Sequence, residues 1–215
     1  MKSLRYELIL YFTIIIAGIL LMVGGISYYW TKKAVELRMS ESTVETLKQI
    51  DKNMQLVFGG IQDLSLFVIS NQDIRKYAKM DKEELYRDGD SLLNLGEVFA
   101  NLTNSKSYIL SINVYGDKGL RFETAGVSWV NGDLVREYEN KIPEDGNFIL
   151  TPTYKRTYQM LGECYVISMY RQLKDINNLS QRLGIIRIDV NERELNKVYK
   201  DIKLGDSGYV FIANK

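Results

Sequence analysis

Residues 108–124 read YILSINVYGDKGLRFET, and the alternation in this stretch decides the fold. Leu110, Ile112 and Val114 fall on one side of an extended chain, while Ser111, Asn113 and Tyr115 fall on the other. GDKG follows, and with Gly116 and Gly119 it makes a four-residue connection back into a second strand, a β-hairpin. One face of this hairpin is apolar enough for a core. The other is polar enough to line a pocket.

Strand signals continue downstream. After the hairpin, Asp133 to Ile142 reads as a short helix, with Gly132 before it and Pro143 after it. NFILTPTY (147–154), CYVISMYRQL (164–173) and LGIIRIDV (183–190) read as strands, the last two joined by the turn-rich KDINNLSQ. Ile185, Arg187 and Asp189 share one face of the last strand. Residues 108–190 are therefore expected to form an antiparallel sheet of about five strands with a helix inserted midway. Asn191 is placed to cap a following helix, NERELNKVYKDI, with Glu194 as its capping-box partner. GDSG and an extended run from Gly208 to Ala213 close the chain without a pairing partner.

Upstream the period is helical. Val44, Leu47, Ile50, Met54, Val57, Ile61, Leu64 and Val68 recur at spacings of three and four, one continuous stripe. The stripe either packs on its own domain or forms a seam against a second copy. Thr31 to Ser70 contains no Pro, so a rod of about 40 residues and roughly 60 Å is expected. Gly59 and Gly60, each costing about 1 kcal/mol against Ala, are expected to interrupt it. NQDIRKYAKM (71–80) reads as a short helix. DKEELYRDGDSLLNLGEVFANLTNSK (81–106) supplies another, with Leu85, Leu92, Leu93, Leu95, Val98, Phe99 and Leu102 as its apolar positions.

The chain begins with a different signal. Leu8 to Tyr29, LILYFTIIIAGILLMVGGISYY, carries no charge over about 22 residues, enough to cross a hydrocarbon core of roughly 30 Å as a helix. A cleaved signal peptide has an apolar region of about 7–15 residues and a small-residue cleavage site, which this run lacks. Tyr28, Tyr29 and Trp30 form an aromatic belt, with Lys32 and Lys33 beyond it. Lys2 and Arg5 on one side face Lys32, Lys33 and Arg38 on the other, so charge alone does not orient the span.

Composition narrows the chemistry. The 215 residues are 46% hydrophobic and 26% charged, with a net charge of +1 and scattered Lys and Arg; no electrostatic footprint for nucleic acid is present. The chain has no His and a single Cys, Cys164, which excludes an intrachain disulfide and a Cys-rich zinc site. No phosphate loop, serine triad or metal cluster is recognisable, and the carboxylate pair Glu83 and Glu84 lies on an exposed-looking helix. No cofactor, metal site or catalytic residue is expected, and the chain is read as a non-enzyme. A membrane-tethered extracellular enzyme stays as a rival class.

The order of parts resembles the double Cache (dCache) extracytoplasmic sensor region, in character that of YesM-type sensor histidine kinases. LGIIRIDV, the helix after it, and KLGDSGYVFIANK carry the resemblance most strongly, with ISMYRQLKD as the preceding strand. The resemblance implies an α+β fold in which a transmembrane helix and a long stalk helix pack on a PAS-like antiparallel sheet, the membrane-distal Cache subdomain. The implied divisions are a cytoplasmic tail (1–7), a transmembrane helix (8–30), stalk and helical layer (31–104), distal subdomain (105–190), and the start of an incomplete proximal subdomain (191–215). It also implies an extracytoplasmic position for residues 31–215 in the cell membrane, a homodimer, and a small polar ligand or a solute-binding protein as partner. The histidine-kinase output would then follow Lys215; the same input precedes chemoreceptor and cyclic-dinucleotide-synthase outputs.

For amino-acid-binding members, the resemblance implies an Arg-x-Trp-Tyr pattern on the inserted helix, a Tyr on a following strand and an Asp on the last one. LVREYENKI supplies Arg136 and Tyr138, with Glu137 where the Trp would fall. Tyr154 matches the strand Tyr, and Asp189 matches the last Asp. Trp129 in GVSWVNGD and Arg171 complete the expected ligand-binding set. The alternatives are a helix-capping role for Asp189, a surface or ion-paired role for Arg171 and Arg187, and a packed loop plug for Trp129.

Overall fold

The computed structural model describes residues 4–125, 128–129 and 137–199, without the side chains of residues 5, 86, 89–94, 128 and 129. The chain divides into two compact units, Met1–Asp51 and Lys52–Lys215. Helix α1, Leu4–Ser70, contributes to both and runs 67 residues without a break.

Within the first unit, α1 exposes Leu8, Ile14, Leu21 and Trp30 among many other large apolar side chains. Among the described residues this is the one helix long and apolar enough to cross a membrane. Val44 and Leu47, the first two positions of the expected stripe, are exposed.

In the second unit, α1 passes through Gly59 and Gly60 as regular helix, contrary to the expected interruption. A Cβ at Gly59 would meet nothing within 4 Å, whereas one at Gly60 would lie 2.7 Å from the Tyr108 hydroxyl. The cost of about 1 kcal/mol per glycine lowers helix stability without breaking it, because Met54, Ile61, Leu64 and Val68 are buried on either side.

Three shorter helices follow: α2 (Gln72–Lys79), α3 (Lys82–Arg87) and α4 (Gly89–Asn104). Asn71 separates α1 from α2, its side chain accepting from the backbone of Asp73 and Ile74. Arg75 reaches back to the carbonyls of Ile69 and Ser70, satisfying the open end of α1. Asp81 and Glu84 form a capping box on α3.

The strands are β1 (Ile109–Gly116), β2 (Arg121–Glu123), β3 (Ser128–Trp129), β4 (Phe148–Leu150), β5 (Tyr154–Tyr158), β6 (Gly162–Asp175) and β7 (Asn178–Asn191). They form one antiparallel sheet ordered β2-β1-β7-β6-β5-β3, with β4 also pairing β6. Among the described residues seven strands replace the expected five. NFILTPTY is two strands rather than one, because Pro152 between them lacks the N–H a ladder needs. The other addition is the short edge strand β3. β6 and β7 extend beyond their apolar runs to a tight turn in which Asp175 pairs with Asn178.

The two sheet faces differ in chemistry. Ile112, Val114, Met169, Ile186, Ile188 and Val190 are all buried and share one face by register. Against β1 and β7 on this side pack α2 and α4, with Phe99 of α4 on Phe122 of β2 at a ring separation of 4.8 Å. Each fully buried aliphatic side chain here contributes about 1.5–3 kcal/mol.

Leu110 departs from the expected alternation. A bulge between Ile109 and Ser111 lets Ile109 pair with Val190, while Leu110 packs with Ala125, Tyr158 and Val166. The bulge adds one residue to β1, so the apolar phase shifts there without disturbing Ser111 or Ile112.

Helix α5, Glu192–Asn196, follows β7 with Asn191 as its cap, so Asp189 is not the capping residue. The expected helix is shorter than its apolar pattern and passes into turns by residue 197. GDSG and the terminal extended run lie outside the described residues.

Candidate functional site

Period-two alternation puts a set of polar side chains on the face away from α2 and α4. Two cross-strand rows carry them. Ser111, Asp189 and Ser168 stand side by side on β1, β7 and β6, and the next row is Asn113, Arg187 and Tyr170. β5 adds Tyr154, Arg156 and Tyr158, alternate residues of a strand paired to β6. Ser111, Asn113, Ser168, Arg156, Arg187 and Asp189 are all buried.

Asp189 is the centre of this cluster and is 0% exposed. Its Oδ2 accepts from Ser111 Oγ (2.8 Å), Asn113 Nδ2 (3.2 Å) and the Tyr158 hydroxyl (3.0 Å). Oδ1 accepts from Ser168 Oγ at 2.5 Å. Arg187 Nε lies 3.2 Å from Oδ1, and Arg156 Nε lies 3.6 Å from Oδ2.

Donor direction follows from proton count. Ser168 gives its one hydroxyl proton to Asp189, so in the 2.6 Å contact between Tyr154 and Ser168 the tyrosine donates. The Tyr154 oxygen is then free to accept from Arg156 Nη1 at 3.4 Å. By the same count Ser111, having donated to Asp189, accepts from Asn113 Nδ2 at 2.9 Å.

The electrostatics agree with this geometry. Burial opposes ionisation of Asp189 most strongly, but Arg187 and Arg156, together with the Ser168 and Ser111 hydrogen bonds, hold its carboxyl below the usual carboxylate range. Burial is also the largest influence on Arg187, and the attraction of Asp189 outweighs it, so the guanidinium stays charged. Burial raises the Tyr158 hydroxyl pKa, helped by the Asp189 charge beside it. Burial likewise raises Tyr115 and Tyr170.

The expected site residues divide. Asp189 and Tyr154 lie in the cluster. Tyr138, in a helical turn at 137–139, stacks on Tyr170 at 6.2 Å between ring centroids, and packs with Ile142, Tyr170, Ile185 and Ile149 beside it. Arg171 is on the opposite face: its Nε donates to the Gly146 carbonyl (2.8 Å) and its Nη1 to Ser65 Oγ of α1 (2.9 Å). It is a tie between sheet and helix, because residue 171 follows Tyr170 in a strand and must point the other way. Trp129 pairs with Thr157 at the sheet edge, its side chain outside the described set, and Arg136 lies outside the described residues.

Arg156, Tyr158 and Ser168 escaped the expected set. Their signal was the period of two: Tyr154, Arg156 and Tyr158 alternate with Lys155 and Thr157, and Ser168 alternates with Met169. Of the surface and ion-paired alternatives for Arg187, the surface one fails, since the residue is 1% exposed, and its Nε lies beside Asp189.

No protein-family profile matches the chain, and no curated protein matches it either. Among solved structures it is similar to the sensory domain of the Campylobacter jejuni chemoreceptor Tlp3 (CcmL) with isoleucine bound, at 13% identity and a TM-score of 0.40, covering 74% of this chain and 64% of that one. The same sensory domain in a second structure gives 14% identity and a TM-score of 0.42, covering 77% and 67%. The Tlp3 ligand-binding domain in complex with 4-methylisoleucine gives 12% identity and a TM-score of 0.41, covering 77% and 65%. This chain thus spans about two thirds of the length of those domains.

Proposed function

We propose that this chain is a membrane-anchored extracytoplasmic sensor, its distal sheet a PAS-like Cache subdomain that receives a small polar ligand. The observation that carries the reading is the second sheet face. A sheet needs one apolar face to fold, and this one has it against α2 and α4; the other buries Asp189, Arg187 and Arg156 together. Moving such charges out of water costs several kcal/mol per ion, so a face built this way serves something besides stability. The Tyr138 turn stacked on Tyr170 supplies an aromatic wall to that face.

The mechanism is a population shift. Ligand bound between the polar face and the segment carrying Tyr138 favours one packing of β6, and β6 holds α1 through Arg171 and Ser65. Helix displacements of about 1–2 Å are the usual scale for such switching. Exposed Val44 and Leu47 on α1 fit a homodimer seam. The output is a histidine kinase in this reading, with a chemoreceptor or a cyclic-dinucleotide synthase as alternatives; the complete coding sequence of the gene separates them.

The test is a thermal-shift screen of the whole 215-residue chain in nanodiscs against amino acids, sugars, carboxylates and peptides. A raised midpoint with one class supports the sensor. No shift with any class, with the chain shown to be folded by circular dichroism, refutes it.

A further inference from the structure

Arg187 is 1% exposed, yet among the described residues its Nη2 has no hydrogen-bond partner and its Nε meets Asp189 without a well-aligned hydrogen bond. A guanidinium carries five N–H donors in a rigid fork. Asp189 has little capacity left for them: four hydrogen bonds from Ser111, Asn113, Tyr158 and Ser168 already end on its two oxygens. It also faces the Arg156 guanidinium. A buried donor on a charged group is costly to leave unmade, and the groups around Arg187 do not complete it.

The neighbours are informative. The Arg187 guanidinium carbon lies 5.1 Å from the centre of the Tyr115 ring. The hydroxyl at the far end of that ring donates to Glu123 Oε1 at 2.9 Å. Glu123 thus sits beyond the tyrosine, and among the described residues its Oε2 has no hydrogen-bond partner and it forms no ion pair with Arg187. Tyr170 flanks Arg187 on the other side by register. The result is an incompletely paired cation between two tyrosines, with Asn113 in the same row.

The geometry points to Arg187 as the contact for an anionic group on the ligand, a carboxylate by size and planarity, with Asp189 as a positioning residue that holds the guanidinium. This rests on the sensor reading above and names the chemical class its site takes. It moves Asp189 away from the direct ligand contact expected for it, because that carboxylate is spent on protein donors. Arg187 Nη2 supplies the second arm of the fork once an acceptor arrives, as planar guanidinium–carboxylate recognition requires.

The whole chain in nanodiscs is tested with acetate against acetamide, at ionic strength matched with chloride. Acetate in excess is expected to raise the unfolding midpoint by about 2–4 °C, with acetamide and chloride leaving it unchanged. Arg187→Gln should abolish the acetate response, and Arg187→Lys, which keeps the charge, should retain part of it. No acetate effect beyond chloride in the wild-type chain overturns the assignment, whether or not the variants fold. An equal acetate response in Arg187→Gln overturns it too. If acetamide, an amino acid or a sugar stabilises the chain while acetate does not, the sensor reading stands and the Arg187 assignment falls. If nothing in the broader screen binds, both fall.

Discussion

Arg187 Nε stands 3.2 Å from Asp189 Oδ1, two residues apart on one strand and on the same buried face. Removing one member of such a pair leaves the other uncompensated. Asp189→Asn keeps the shape but discards the charge that faces both Arg187 and Arg156, so a loss of about 3–5 kcal/mol in unfolding free energy is expected. Chemical denaturation of wild type and variant measures it; a loss under 1 kcal/mol, about the worth of a surface ion pair, would contradict the geometry.

The same carboxylate sets an acid limit. Its folded pKa is depressed, so its contribution is complete above the unfolded value of about 3.9 and is lost as pH falls through the lower folded value. Stability attributable to Asp189 should therefore be flat near neutrality and decline only below about pH 4. Comparing the pH dependence of the wild-type and Asp189→Asn midpoints isolates this part. A difference that disappears nearer pH 6 would contradict it.

Tyr115, Tyr158 and Tyr170 have hydroxyl pKa values raised by burial. Absorbance of phenolate near 295 nm should show these three silent as pH passes about 10, the ordinary tyrosine value. Because the folded values lie above the unfolded one, their neutral forms lose stabilising effect as pH climbs beyond about 10. Complete titration of all 15 tyrosines in the folded chain near the ordinary value would count against the buried face.

Arg171 provides a control. Arg171→Ala removes the donor to Ser65 Oγ and the Gly146 carbonyl, and about 1–3 kcal/mol is expected to be lost. Since the side chain lies on the face opposite Asp189 and touches no ligand there, affinity should change only through the coupling of β6 to α1, by less than about tenfold, equivalent to roughly 1.4 kcal/mol. Isothermal titration with the ligand found in the screen checks this.

Two glycines should respond in opposite directions. Gly184 has φ of +158°, and a Cβ there would fall 2.1 Å from the Tyr115 carbonyl oxygen, so Gly184→Ala should destabilise by about 3 kcal/mol. Gly59 is helical with open space around its Cα, and Gly59→Ala should stabilise by about 1 kcal/mol. Thermal midpoints of the two variants decide both.

The legible parts of the fold were those governed by local period. The long apolar α1, α2 and the hairpin from Ile109 follow from spacing, and the alternation at Ser111, Asn113, Arg187 and Asp189 placed a polar face correctly, but the one helix expected over 81–106 is two, α3 and α4, divided at Asp88 and Gly89. What escaped was set across the sheet. Leu110 changed sides through a bulge that pairing with Val190 imposes, and Pro152 cut one expected strand in two. For the site, alternation located Tyr154 and Asp189 but did not say which donors would converge on the carboxylate. Arg171 and Tyr170 are adjacent letters, and only the register decides which of them faces the cluster.

Asp189 has one further consequence, for the sheet itself. Ser111 reaches it from β1 and Ser168 from β6, so a single carboxylate is fastened from both flanks of β7. Sliding β7 by one residue against either neighbour would turn Asp189 and Arg187 toward α2 and α4 and bring Ile186 and Ile188 against the serines. Apolar side chains alone tolerate many near-equivalent alignments; this ion does not. The polar cluster thereby acts as a dowel through three central strands, and the alignment it fixes is what keeps Arg171 beneath α1 and Arg187 on the side away from it.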